Sequence, residues 1–234
     1  MSLLLAAVLA AAAPAGSACP DLVTSEAMVC RALDAQKRGD PEGAAQSFEQ
    51  AAIASGDKDI STARLFAAAG NLWIEANKLD RAATALDKAI SLPGLTPQQH
   101  GEALLDRARA AEAAGDLPTA RAKLKLAAAS IAADPFYWYF SAALAVREGD
   151  QAAARSAIDK ALSLAPNDPT LLFEAGHVAH FAGDDATARR YWADAAAADP
   201  RGATGKAAAK AVELLGVTPT VTVPTPPPPA PAHK

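Results

Sequence analysis

A short motif recurs five times along this chain. Four copies begin with Gly-Asp; an alanine follows four residues after the Asp, a large apolar residue four later, and a second alanine three later. In the remaining copy, Asn77-Lys78 replaces Gly-Asp. The first alanines are 38, 38, 34 and 34 residues apart, at Ala44, Ala82, Ala120, Ala154 and Ala188. A period of this length is typical of a chain built from stacked structural repeats.

The chemistry of the motif predicts a tight turn between two helices. Glycine readily adopts the left-handed conformation that ends a helix, and the aspartate after it can cap the next helix. Asparagine is among the few other residues that tolerate this conformation, so Asn77 fits the same turn. The alanine, large residue and alanine then share one face of the second helix. Prolines near the repeat ends, such as Pro135 and Pro200, stop one helix or open the next.

The first helix of each pair carries a family resemblance. Phe66, Ala69, Gly70 and Trp73 are spaced like the conserved positions of tetratricopeptide repeats (TPRs), and the helix around Gly176 matches more loosely. The small residue in this pattern is expected to let the two helices of a repeat approach closely. The chain therefore resembles a TPR protein, which implies an all-α, right-handed solenoid of about five helix-turn-helix repeats. The predicted segments are repeats 25–58, 63–96, 101–134, 135–168 and 169–202, preceded by segment 19–24 and followed by a capping helix at 203–216.

The first eighteen residues are predicted to be a signal peptide. Leu3 to Ala13 form an apolar run of eleven residues, followed by small residues and Pro14. The alternative is a buried or membrane-anchoring helix, but spanning a bilayer takes about 20 apolar residues. We therefore expect a periplasmic or secreted protein.

Cys19 and Cys30 have two possible fates. In an oxidising compartment such a pair is expected to form a disulfide, which would tie the new N-terminus to the first helix. Alternatively, Ser17-Ala18-Cys19 resembles the end of a lipoprotein signal, and Cys19 would then carry a lipid anchor. The two fates exclude each other, and the disulfide is favoured.

Residues 217–234 form a proline-rich tail with seven of the seventeen prolines. Proline lacks the amide proton that helices and sheets need, so the tail is predicted to be extended or disordered. It is interpreted as a spacer or, alternatively, as a ligand for a proline-recognition domain.

No motif in the sequence predicts catalysis or a cofactor. A phosphate-binding loop and the HExxH, CxxC and GxSxG motifs are all absent. Net charge is −4 without a basic block, which argues against a nucleic-acid partner. His177 and His180 share a helix face, but two ligands are too few for a typical zinc site. An enzyme or metal carrier built on this pair is the least favoured function.

The resemblance implies where a ligand would bind. In TPR proteins, one face of each first helix lines a concave groove, and shifting the packing positions by one residue gives that face here. The resulting groove candidates are Asn71, Arg109, Tyr139, Arg147, Phe173, His177, His180 and Phe181. The same shift places Leu105 on this face of the third repeat, whereas Phe136 and Phe140 are expected to pack between repeats. The predicted function is a non-enzymatic scaffold of the bacterial periplasm or envelope that holds a partner peptide. The alternative is an outer-membrane lipoprotein or assembly subunit anchored through Cys19.

Overall fold

The computed structural model describes residues 19–216, which form eleven α-helices and no β-strand. The predicted signal peptide and proline-rich tail lie outside these residues. The prediction of an all-α fold built from helix-turn-helix pairs is confirmed. The helices are α1 (Ser25–Lys37), α2 (Pro41–Ser55), α3 (Thr62–Glu75), α4 (Leu79–Ser91), α5 (Pro97–Ala113), α6 (Leu117–Ile131), α7 (Pro135–Glu148), α8 (Gln151–Leu164), α9 (Pro169–Phe181), α10 (Asp185–Ala198) and α11 (Ala203–Gly216).

The turns within the pairs use the predicted backbone chemistry. Gly39, Gly115, Gly149 and Gly183 all have φ between 71° and 83°, and Asn77 takes the same region at 55°. The following aspartate caps the next helix; Asp184, for example, accepts a hydrogen bond from the Thr187 amide at 3.0 Å. Because each turn is closed by its own residues, the helix pairs are specified locally.

Within a pair, the two helices touch where a small residue faces a large one sixteen positions later. A Cβ added to Gly70 would lie 2.8 Å from Cδ2 of Leu86. At Gly176 it would lie 2.7 Å from Cε2 of Trp192, and closer still to Cδ1 and Nε1. Ordinary contacts lie between 3.4 and 4 Å, so these two glycines are required by close helix packing.

The chain divides into two compact units, with the boundary between Ile131 and Ala132. Unit 1 contains α1–α6, and its core combines Phe66, Trp73 and Leu86 with many buried alanines. Asp87 of α4 also binds Arg107 of α5 and Lys123 of α6, each at 3.0 Å, which ties the second and third repeats together.

Unit 2 contains α7–α10 and the terminal helix α11. Ala208 of α11 is fully buried in a cluster with Trp192, and Val212 and Leu215 pack against the same cluster. The terminal helix thus covers the apolar side of the last repeat. Among residues 19–216, no helix is both long enough and apolar enough to cross a bilayer.

Candidate functional site

Unit 1 contains a cavity of about 450 Å³ on the side formed by the first helices of its three repeats, which we name the unit 1 cavity. Its floor is apolar and consists of Phe48, Ala67, Ala68, Leu72, Leu95 and Ala103. Its rim is polar and consists of Gln36, Arg64, Asn71, Gln99, Glu102 and Asp106. A concave surface with an apolar floor and a few polar groups is the usual form of a ligand site.

Two predicted groove residues of unit 1 meet at a third residue that the sequence did not reveal. Asn71 donates from Nδ2 to Oδ2 of Asp106 at 3.0 Å, and Arg109 donates from Nη1 to Oδ1 of Asp106 at 2.8 Å. The predicted stripe placed Leu105 on this face, but Leu105 is only 4% exposed. One residue along a helix is a rotation of about 100°, so its neighbour Asp106 takes that place.

Unit 2 presents an aromatic surface along α9, formed by Phe173, His177, His180 and Phe181, which we name the α9 aromatic face. The ring centroids of Phe173 and His177 are 4.4 Å apart. Trp192 of α10 lies behind them, 5.6 Å from His177 and 5.8 Å from His180. The indole Nε1 of Trp192 donates to the carbonyl oxygen of Phe173 at 3.0 Å, so this tryptophan is a buried support for the face.

Each histidine of this face has a carboxylate partner. Nδ1 of His177 is 3.3 Å from Oε2 of Glu174, and Nδ1 of His180 is 2.6 Å from Oδ1 of Asp185. The two histidine side chains remain 44% and 54% exposed. Within residues 19–216, no three His, Cys, Asp or Glu side chains are grouped so that they could hold a metal ion.

The other two predicted groove residues lie on α7. Tyr139 is half-buried and stacks on Phe136, with ring centroids 5.3 Å apart, and Arg147 is exposed in the last turn. Phe136 was expected to pack between repeats but is 40% exposed, whereas Phe140 is buried as expected. Asn71 and Arg109 therefore belong to unit 1, and the other six candidates belong to unit 2.

At the start of unit 1, Cys19 and Cys30 form a disulfide with Cα atoms 5.7 Å apart. Arg31 donates hydrogen bonds to the carbonyl oxygens of Pro20, at 3.0 Å, and of Leu22. The segment that precedes α1 is thus held against this helix by one covalent and two polar contacts. A lipid on Cys19 would need the same sulfur atom, so this disulfide and a lipid anchor cannot coexist.

Comparisons with known proteins give similarity at the level of fold. No protein-family model and no curated protein matches the chain. Among solved structures, PilW, titled a widely conserved type IV pilus biogenesis factor, superposes with a TM-score of 0.65 at 22% identity, over 78% of this chain and 81% of that one. A TPR protein from Parabacteroides merdae also has a TM-score of 0.65, at 16% identity, over 82% and 72%.

YrrB, titled a TPR protein with an unusual peptide-binding site, superposes with a TM-score of 0.56 at 17% identity, over 80% of this chain and 92% of that one. These superpositions cover most of the stacked helix pairs described above. The chain therefore has the fold of tetratricopeptide-repeat proteins.

Proposed function

We propose that this protein is a non-enzymatic scaffold of the bacterial periplasm or cell envelope, and that it holds an extended segment of a partner protein in the unit 1 cavity. The observation that carries the proposal is the composition of this cavity. Its 450 Å³ volume falls within the range of about 300–1,000 Å³ found for ligand sites. Its apolar floor suits a side chain of the ligand, and its polar rim suits a peptide backbone.

The amide side chains of the rim are suited to hydrogen-bond with the backbone of a bound peptide. Gln36, Asn71 and Gln99 each carry a donor and an acceptor, as does every peptide unit of an extended ligand. Asp106 only accepts hydrogen bonds when ionised, so the NH₂ group of Asn71 must face it. Oδ1 of Asn71 is thereby oriented to accept from a ligand N–H, and Arg109 holds Asp106 in place.

One structural similarity supports peptide binding, because YrrB is described as a TPR protein with an unusual peptide-binding site. PilW, which has the same fold, is described as a type IV pilus biogenesis factor. The apolar run from Leu3 to Ala13 and the Cys19–Cys30 disulfide support export, because disulfides persist in oxidising compartments.

Site-specific photocrosslinking in the native cell tests the proposal. A photoreactive residue replaces Ala67 on the cavity floor, and in the control it replaces Ala122, which is exposed on α6. We expect a partner peptide to be crosslinked at position 67 and absent at position 122. Equal labelling from both positions would contradict a specific site.

The captured segment is then made as a synthetic peptide and titrated against the purified protein. Asn71→Ala should weaken its binding about 2- to 10-fold, the worth of one hydrogen bond. The control Asn167→Ala changes an exposed residue of unit 2 and should leave the affinity unchanged. Unchanged affinity in the Asn71 variant would remove the amide from the binding site.

The mass of the mature protein decides between the two envelope locations. A soluble exported protein with the disulfide is two hydrogens lighter than the reduced chain that begins at Cys19. An outer-membrane lipoprotein carries acyl chains on Cys19 and is much heavier. We expect the lighter species, because Cys19 is joined to Cys30 in the structure.

A further inference from the structure

The α9 aromatic face has the length and composition of a proline-binding surface. Phe173, His177, His180 and Phe181 follow one side of the helix, and eight residues of rise extend the face over about 12 Å. The Phe181 side chain is 36% exposed, and both histidines are more exposed still. Proline-rich segments dock in grooves lined by aromatic side chains, because their extended helix is preformed and loses little entropy.

A segment of matching length follows in the same chain. Pro226 to Pro229 are four consecutive prolines, which would span about 12 Å in a polyproline II helix with its rise of 3.1 Å per residue. Four proline rings would then cover the same distance as the four aromatic side chains of α9. The proline rings and the phenyl rings of Phe173 and Phe181 carry no charge, so their contact requires no ion pairing.

The proline-rich segment follows α11, which ends at the same end of unit 2 as Phe181 of the α9 aromatic face. α9 and α11 both pack on α10. Phe173 and His180 of α9 contact Trp192 and Asp185 of α10 in reverse order, so α9 is antiparallel to α10. α11 is also antiparallel to α10, because Gly205 bonds to Asp199 and Ala208 packs in the cluster of Trp192, so α9 and α11 are parallel to each other. α11 ends at Gly216 and α9 at Phe181, which places both C-termini at the same end of unit 2. Packed helices have axes about 8–10 Å apart.

The segment between α11 and the four prolines is long enough to bring them to the α9 aromatic face. Nine residues, 217–225, separate Gly216 from Pro226, and when extended they span about 28 Å. This length exceeds the distance between the C-termini of two packed helices, so the prolines can enter beside Phe181 and run towards Phe173. Both the face and the attachment point belong to unit 2.

We propose that residues 226–229 dock on the α9 aromatic face of the same molecule. Even a weak contact would be substantially occupied, because the tail is tethered to the same molecule. A short tether gives an effective concentration in the millimolar range. A free peptide with a dissociation constant of about 1 mM would then be about half bound when it is part of the chain.

NMR spectroscopy tests this contact without knowledge of any partner. The full chain is compared with a chain truncated after Gly216, and the indole N–H of Trp192 and the imidazole signals of His177 and His180 are the reporters. We expect these signals to differ between the two proteins, while the indole N–H of Trp73 in unit 1 stays unchanged. A synthetic peptide of residues 217–234 should restore the shifts in the truncated protein and saturate in the millimolar range.

Matched variants identify the contact. Phe181→Ala should abolish the tail-dependent shifts, whereas Leu214→Ala should preserve them, because Leu214 is an exposed apolar residue of α11 outside the face. A peptide in which Pro226 to Pro229 are replaced by alanine should no longer restore the shifts. Identical reporter signals with and without the tail would overturn the proposal. Shifts that grow with protein concentration would also overturn it, because the tail would then be bound by a second copy.

Because this site lies in unit 2, its test is separate from that of the unit 1 cavity. Loss of the tail contact in the NMR experiment would leave crosslinking at position 67 unaffected, and failure of crosslinking would leave the tail contact intact.

Discussion

Gly176→Ala is the most direct test of the repeat register, because one added methyl group meets a single buried ring. The new Cβ would lie 2.7 Å from Cε2 of Trp192 and closer to Cδ1 and Nε1, where ordinary contacts need 3.4 to 4 Å. The indole must therefore move by about 1 Å or more. It is almost fully buried, and its Nε1 donates to the Phe173 carbonyl oxygen, so the movement strains packing and weakens this hydrogen bond.

Three terms decide the expected effect of this substitution on the free energy of unfolding. Overpacking of a core costs about 1–3 kcal/mol. The weakened hydrogen bond adds about 0.5–1.5 kcal/mol. Alanine is favoured over glycine within a helix by about 1 kcal/mol, which offsets part of the loss. The variant should therefore be less stable by about 1–3 kcal/mol, and a chain of this size should melt about 2–4 °C lower for each kcal/mol.

Thermal denaturation followed by circular dichroism measures this loss, and hydrogen exchange locates it. Faster exchange is expected in α9, α10 and α11, with α1–α6 unchanged. The control is Gly216→Ala at the end of α11, where an added Cβ meets no atom within 4 Å, so no loss is expected. If Gly176→Ala melts at or above the parent temperature, the close crossing of α9 and α10 is wrong.

Three further predictions concern other parts of the protein. Burial alone would raise the pKa of Asp87, but hydrogen bonds from Lys123 and Arg107 outweigh it and hold the pKa below its usual value. This stabilisation is complete above the usual pKa and disappears as the pH falls through the lowered one. Asp87→Asn should therefore cost about 0.5–1 kcal/mol at pH 7 in urea denaturation, and this cost should shrink as the pH falls below the usual pKa of aspartate. Reduction of the Cys19–Cys30 disulfide should lower the stability of the N-terminal end by up to about 3 kcal/mol and speed hydrogen exchange in α1 alone. If both cysteines of the unreduced exported protein are labelled quantitatively by a thiol reagent, the disulfide is contradicted. If Phe173 anchors a partner on the α9 aromatic face, Phe173→Ala should weaken capture by about 2 kcal/mol with unchanged helical content, and an unchanged affinity would exclude that role.

The repeat architecture was predictable because its signals are local. A left-handed turn needs glycine or asparagine, a helix start favours a capping aspartate, and a close crossing needs a small residue opposite a large one. Gly176 and Trp192 are sixteen residues apart, so both lie within one repeat and their relation is visible in the sequence motif. Each of these requirements involves residues of a single helix pair, and none depends on how distant parts of the chain are arranged.

The surfaces between repeats were less predictable, because they depend on helix rotation. A stripe read from the sequence selected Leu105, yet α5 is rotated so that Leu105 is buried and Asp106 faces Asn71. Periodicity gives the positions that share a face but not the angle at which that face meets its neighbour, and an error of one residue turns the side chain by about 100°.

The helix pairs, their turns and their crossing points follow from backbone conformation and side-chain size within each repeat, so they could be predicted from the sequence. The four side chains of the α9 aromatic face lie on one helix and were predicted as well, but the position of Trp192 behind them and the set of side chains around the unit 1 cavity depend on how the helices pack. Asp106 is 35 residues from Asn71, and the cavity includes residues from three repeats. Such a site exists only when several helices have packed, because packing sets the rotation of each helix and hence which of its side chains remain exposed.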